Sequence, residues 1–248
     1  MATTGSILSN RVLPVAALAV ALAACQPQTP PAQDDAPAAE TGIPAQAPPD
    51  SIDGLAPGER INYQCGDLAL GTTFAEQGDL VQLSFSGQRL ELPIAISASG
   101  ARYADDDGNE FWGKGMENAT LTLAGEEPRD CVRSNRASPW DVAADNGVAF
   151  RAVGQEPGWL VELVEGEGDQ GASLTAHLDY GQRLLEAGDL QREGDAWNGQ
   201  ATDGTAVELT VEERDCADPM SGERFRAAAS LVVGEEQFHG CGAWLSTD

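Results

Sequence analysis

The chain has 248 residues, enough for one large domain or two small ones, and carries 40 acidic against 14 basic side chains, a net charge of −26. That balance argues against nucleic acid and against an anionic membrane surface as partners, since both are polyanions. A basic partner, or none, is what it leaves.

Arg11 precedes an apolar run over residues 12–24, too short to span a bilayer and too rich in alanine for a core helix. The run ends Leu22-Ala23-Ala24-Cys25, which resembles a bacterial lipobox. The resemblance implies a signal peptide over residues 1–24, cleavage before Cys25, and a lipoprotein whose Cys25 carries three acyl chains, palmitate among them. One chain binds a membrane only marginally, so three make a stable anchor. Gln26, rather than aspartate, follows the cysteine, which by the same resemblance implies the outer membrane, with the folded part facing the periplasm. Residues 26–58 hold eight of the fourteen prolines and show neither helical nor strand period, so residues 25–58 read as a lipidated, Pro/Ala-rich tether.

From Arg60 the pattern changes to period two. Leu68, Leu70 and Thr72 alternate, as do Val81, Leu83 and Phe85. Leu90, Leu92, Ile94 and Ile96 form the longest such run and are expected on one buried face; Ala119, Leu121 and Leu123 form another. Gly78-Asp79, Ser86-Gly87 and Asp107-Gly108 punctuate the runs as turns. Short antiparallel strands at this spacing indicate a small all-β barrel or sandwich over residues 59–134. Residues 130–147, with Ser138-Pro139 and Asn146-Gly147, read as an irregular connection centred on 135–146. A second all-β unit follows over 147–248, with alternation at Trp159, Val161 and Leu163, at Leu174, Ala176 and Leu178, at Val207, Leu209 and Val211, and from Phe225 to Val233. The fold class expected is therefore all-β, two small antiparallel barrel-like domains.

With Cys25 assigned to lipid, Cys65, Cys131, Cys216 and Cys241 remain in an oxidising compartment. Four cysteines allow three pairings. The pairing 65–131 with 216–241 keeps each half self-contained and is the one expected, stabilising by about 4 and about 3.5 kcal/mol in the chain-entropy model. A zinc site is disfavoured, since no C-x-x-C exists and His177 and His239 stand alone. No metal or cofactor is expected.

The sharpest feature lies in residues 97–115, SASGARYADDDGNEFWGKG, because Lys114 is the only lysine in a chain whose other basic residues are all arginine. An EF-hand reading of Asp105-Asp106-Asp107-Gly108 fails: with Gly108 in sixth place, Tyr103 and Lys114 fall on the first and twelfth ligand positions. Tyr63-x-Cys65, Ser99-Gly100-x-x-Tyr103, Phe111-Trp112-x-Lys114-Gly115, Ala119-Thr120-Leu121 and Cys131 occur in order over about residues 60–133. Together they make this region similar to the membrane-bound inhibitors of c-type lysozyme. The resemblance implies an eight-stranded antiparallel barrel, no enzymatic activity, and a c-type lysozyme, itself basic, as partner. It also implies that loops bearing Ser99 and Lys114 enter the lysozyme cleft, with Gly100 and Gly115 beside them and Tyr103 and Trp112 supporting the loops from beneath.

The chemistry suits a lysine. Such a glycosidase has two carboxyl groups, one held protonated and one ionised. An ammonium is a compact point charge that fits between them, whereas a guanidinium is a wide fork. At an effective dielectric of 20, one contact at 4 Å is worth about 4 kcal/mol before desolvation. Gly113 departs from the family, which usually has a polar side chain there. The acidic turn 105–107 is read either as steering a basic partner or as a solvated loop tip.

In the C-terminal unit, Glu156-Pro157-x-Trp159 and Cys216-x-Asp218-x-Met220-Ser221 look like the signatures of an uncharacterised family of bacterial envelope domains, which brings no known chemistry. Gly158 and Gly222 stand where that family has an aromatic and an aspartate. Ser221, His239 and Asp218 supply the residue types of a triad, but no strand–turn–helix context supports one. A disulfide-pinned turn at 216–221, with Trp159 in the core, is the preferred reading. The competing function is an envelope scaffold or carrier that binds cell-wall fragments or small molecules through its β domains.

Overall fold

A computed structural model describes residues 58–168 and 170–245. The expected signal peptide, Cys25 and nearly all of the expected Pro/Ala-rich tether lie outside the described residues.

The first barrel closes eight antiparallel strands in chain order: β1 (Arg60–Cys65), β2 (Leu68–Phe74), β3 (Leu80–Phe85), β4 (Gln88–Ala95), β5 (Ala101–Ala104), β6 (Glu110–Gly113), β7 (Asn118–Thr122) and β8 (Arg129–Ser134), with β8 returning to β1. The strands form where the period-two pattern runs, and each sends alternate residues inward. Ile61, Tyr63, Leu70, Val81, Leu83, Leu92, Tyr103, Phe111 and Leu121 fill the interior. An eight-stranded barrel is just wide enough to be packed solid by such side chains. Each fully buried aliphatic or aromatic residue contributes about 1.5–3 kcal/mol by leaving water. Phe74 packs against both Tyr103 and Phe111, with ring centroids 5.6 and 6.3 Å apart. Cys65 faces Cys131 across the β1–β8 seam, and their disulfide locks the closing pair.

The second barrel also closes eight antiparallel strands: β9 (Phe150–Gly154), β10 (Trp159–Val164), β11 (Ala172–Leu178), β12 (Arg183–Glu193), β13 (Ala196–Ala201), β14 (Ala206–Ala217), β15 (Arg224–Val233) and β16 (Glu236–Trp244), with β16 pairing β9. Trp159 is buried, as expected, and Trp197 and Phe150 both pack on Trp244. The second disulfide joins Cys216 to Cys241. The expected all-β class, two barrels and both pairings are thus observed.

Two expectations need correction. The stretch read as irregular contains β8 and a two-turn helix, α1 (Pro139–Asp145). Ser138 caps the helix by accepting a hydrogen bond from the Trp140 amide, and Pro139 occupies its first turn, where a missing amide hydrogen costs nothing. Secondly, Ile96 is not on the buried face of β4. The strand ends at Ala95, only Leu92 of the run is fully buried, and Ile96 is 97% exposed.

α1 joins the barrels. On one side Asp141 accepts a hydrogen bond from Ser84 at 2.9 Å and Asp145 pairs with Arg60 at 3.0 Å. Gly71 leaves room for the Ser84–Asp141 bond, since a Cβ there would lie 2.4 Å from the Ser84 hydroxyl and 2.7 Å from the Asp141 carboxylate. On the other side Trp140 packs on Phe225 of β15, ring centroids 5.0 Å apart.

Candidate functional site

Antiparallel order puts the β2–β3 loop (75–79), the β4–β5 loop (96–100) and the β6–β7 loop (114–117) at one end of the first barrel. The register Ala101↔Gly113 and Arg102↔Trp112 brings the second and third of these side by side.

Four of the residues singled out in the sequence meet here. The Trp112 indole N–H donates to the Ser99 carbonyl at 3.0 Å, tying one loop to the other. The Lys114 ammonium sits over the Trp112 ring, 5.4 Å from its centroid. Gly100, at φ +70°, lies so near β6 that a Cβ would fall 2.3 Å from the Gly113 carbonyl oxygen. Gly115 follows at φ +87° in open space, and the Lys114 amide donates to the Asn118 carbonyl at 2.8 Å. Trp112 is half-buried on the outward face of β6, opposite to the buried Phe111.

Tyr103 is different. It lies in the barrel interior, where burial first and the Asp79 charge second raise its pKa, and its hydroxyl donates to the Gly78 carbonyl at 3.1 Å. It therefore braces the third loop of the same end. Gly113 is not forced by space: a Cβ there meets nothing closer than 3.6 Å. A polar side chain would fit, so its absence widens the approach to Lys114 without being demanded by the fold.

Lys114 is exposed and forms no ion pair among the described residues, in contrast to most arginines of the barrels. Ser99 is exposed as well. The acidic turn 105–107 lies at the far end of the β5–β6 hairpin, where Asp105 accepts hydrogen bonds from the Asp107 and Asn109 amides. It is a self-satisfied turn, not a collar around the lysine.

Arg102 passed unnoticed in the sequence. Its guanidinium makes two bonds at 2.7 Å to Glu110 across the hairpin and a third, at 3.4 Å, to the Ile96 carbonyl. The cross-strand spacing that pairs it with a carboxylate was readable; its reach back to Ile96 was not, because that depends on where β4 stops.

In the second barrel the three triad residue types are not assembled. Asp218 accepts from the Met220 and Ser221 amides and from the Ser221 hydroxyl, closing a turn next to the Cys216–Cys241 bridge. No hydrogen bond among the described residues joins the exposed His239 ring to either.

Fold and site together define a disulfide-pinned, two-barrel protein that presents, beside braced loops, a lysine with no ion pair among the described residues. Residues 63–130, which make up most of the first barrel, match the family described as membrane-bound lysozyme-inhibitor of c-type lysozyme, and the second barrel lies outside that match. The chain is also similar to the membrane-bound lysozyme inhibitor of C-type lysozyme of Yersinia enterocolitica serotype O:8 / biotype 1B (strain NCTC 13174 / 8081), with 40% identity over 57 residues. That similarity covers 23% of this chain and 48% of the relative, so the chain spans about half of the relative's length. No solved structure matches the chain.

Proposed function

We propose that this protein is a non-enzymatic inhibitor of c-type lysozyme, anchored by a lipidated Cys25 to the outer membrane and protecting peptidoglycan from the periplasmic side. Ser99 and Lys114 enter the partner's cleft, and the Lys114 ammonium donates hydrogen bonds to its two carboxyl groups. The observation that carries this reading is an exposed, unpaired Lys114, the chain's only lysine, fixed over Trp112 beside Ser99. Since it forms no ion pair among the described residues, no bridge to them has to break before it meets a carboxylate.

The test is lysis of peptidoglycan by a c-type lysozyme in the presence of the purified chain. The wild type should block lysis, and Lys114→Ala should raise the inhibition constant by about 100-fold or more, in line with losing one partner of a buried charge pair. The block should weaken as salt rises, because charge attraction is screened. An alanine variant that inhibits fully would overturn the role of Lys114.

A cleft of about 670 Å³ between the barrels favours the second reading, a carrier of small ligands. It is lined by Phe85, Leu123 and Phe225 and by both guanidinium and carboxylate groups. Saturable binding of a cell-wall fragment there, without any lysozyme inhibition, would prefer it.

A further inference from the structure

Ile96 has no role in the fold. It is 97% exposed, the most exposed of the described large apolar side chains. Its neighbours are unusual too: the ten residues from Leu92 to Ala101 carry no charge, in a chain where 22% of residues are charged. An exposed apolar side chain by itself needs no explanation. This one is held in place. The Arg102 guanidinium, fixed by Glu110, bonds the Ile96 carbonyl, and the Ser97 hydroxyl and Trp112 indole both bond the Ser99 carbonyl three residues on. Three contacts thus pre-order a loop whose only large apolar side chain points to solvent, and pre-ordering lowers the entropic cost of binding. No hydrogen bond, ion pair or ring contact joins the loop to the second barrel among the described residues.

We infer that Ile96 is an apolar anchor of the same docking surface. It packs against an uncharged, apolar wall of the partner that flanks the carboxyl-bearing pocket receiving Lys114. The occupant is thus the c-type lysozyme of the proposed function, and the inference rests on that reading. The surface divides its work: Lys114 supplies a charge contact, Ile96 an apolar one, and the uncharged collar allows both to lose water without burying an unpaired carboxylate. Arg102 is the positioning residue that sets the reach of Ile96.

The experiment measures inhibition constants of full-length wild type, Ile96→Ala, Ile96→Asp and Lys114→Ala at low and high salt, with the melting temperature of each. Ile96→Ala should raise the constant about tenfold, as expected for an aliphatic side chain removed from a buried contact, and Ile96→Asp should raise it further. Neither should shift the melting temperature, because the side chain touches nothing in the fold. The Ile96→Ala ratio to wild type should be the same at both salt concentrations, whereas the Lys114→Ala ratio should shrink at high salt. If both Ile96 variants inhibit like the wild type while Lys114→Ala does not, the anchor is wrong and the proposed function stands. If the wild type does not inhibit, the proposed function fails and the anchor fails with it.

Discussion

At the scale of single residues, the site depends on two glycines that do different work. Gly100 is fixed twice, by its left-handed φ of +70° and by the Gly113 carbonyl 2.3 Å from where a Cβ would sit. Gly115 is fixed only by its φ of +87°, with nothing near it. A left-handed conformation costs an L-residue about 1–2 kcal/mol. Gly115→Ala should therefore lower stability by about 1 kcal/mol and leave the loop pair intact. Gly100→Ala should cost more and push the β4–β5 loop off Trp112, weakening inhibition as well. Denaturant titration beside the inhibition assay checks both, and equal effects of the two variants would contradict the close approach. The need for glycine was legible at both places as a motif; the reason at Gly100 was not, because it is set by a carbonyl on the next strand.

At the scale of elements, α1 shows how a short signal is lost among turn residues. Ser138-Pro139 is the start signal of a helix, but two turns are too short for an apolar period to rise above the surrounding polar residues. What stabilises α1 is its setting: a buried Ser138 cap, Asp141 on Ser84 and Trp140 on Phe225. Ser138→Ala should cost about 1 kcal/mol of stability, the ordinary value of an N-cap. A cost near zero, measured by chemical denaturation, would mean that packing alone holds the helix. The β4–β5 hairpin is the converse case. Its alternation continues through Ile96, but the Ser97 turn and Gly100 draw the chain out of the barrel one residue earlier.

At the scale of the whole molecule, the barrels meet through carboxylates placed in unusual surroundings. Glu223 accepts a hydrogen bond from Ser86, and the Gln88 amide donates to the Arg224 carbonyl at 2.8 Å. Burial pushes the pKa of Glu223 up, opposed by the Ser86 bond, reinforced by Asp218 and opposed by Arg129. Burial also raises Asp141, against the Ser84 bond and the Arg60 charge. A carboxyl whose folded pKa exceeds its unfolded value binds more protons when folded. Its contribution is fully present below the unfolded pKa and is lost as pH rises through the folded one. Stability from these two groups should thus fall as pH rises from the ordinary carboxylate range, about 4, through their raised values. Glu223→Gln keeps an acceptor for Ser86 but carries no charge. It should melt above the wild type at neutral pH and converge with it in acid. A melting difference that does not change with pH would rule out ionisation as its cause.

The amino-acid order alone determined the all-β class, because strand period and turn residues are local properties; it left barrel or sandwich and three cysteine pairings open, and the structure closed both barrels and joined Cys65 to Cys131 and Cys216 to Cys241. The amino-acid order singled out Lys114 as the only lysine, and the resemblance to the lysozyme-inhibitor family implied Ser99 and Trp112 beside it. Only the tertiary structure decided that Lys114 has no ion-pair partner among the described residues, that Tyr103 braces a third loop, that Arg102 reaches Ile96, and that Ile96 faces water. Each of these depends on distances between strands far apart in the chain, which no pattern along one strand contains. The acidic turn makes the same point: only seven residues lie between Asp106 and Lys114 in sequence, yet a hairpin puts them at opposite ends of the barrel.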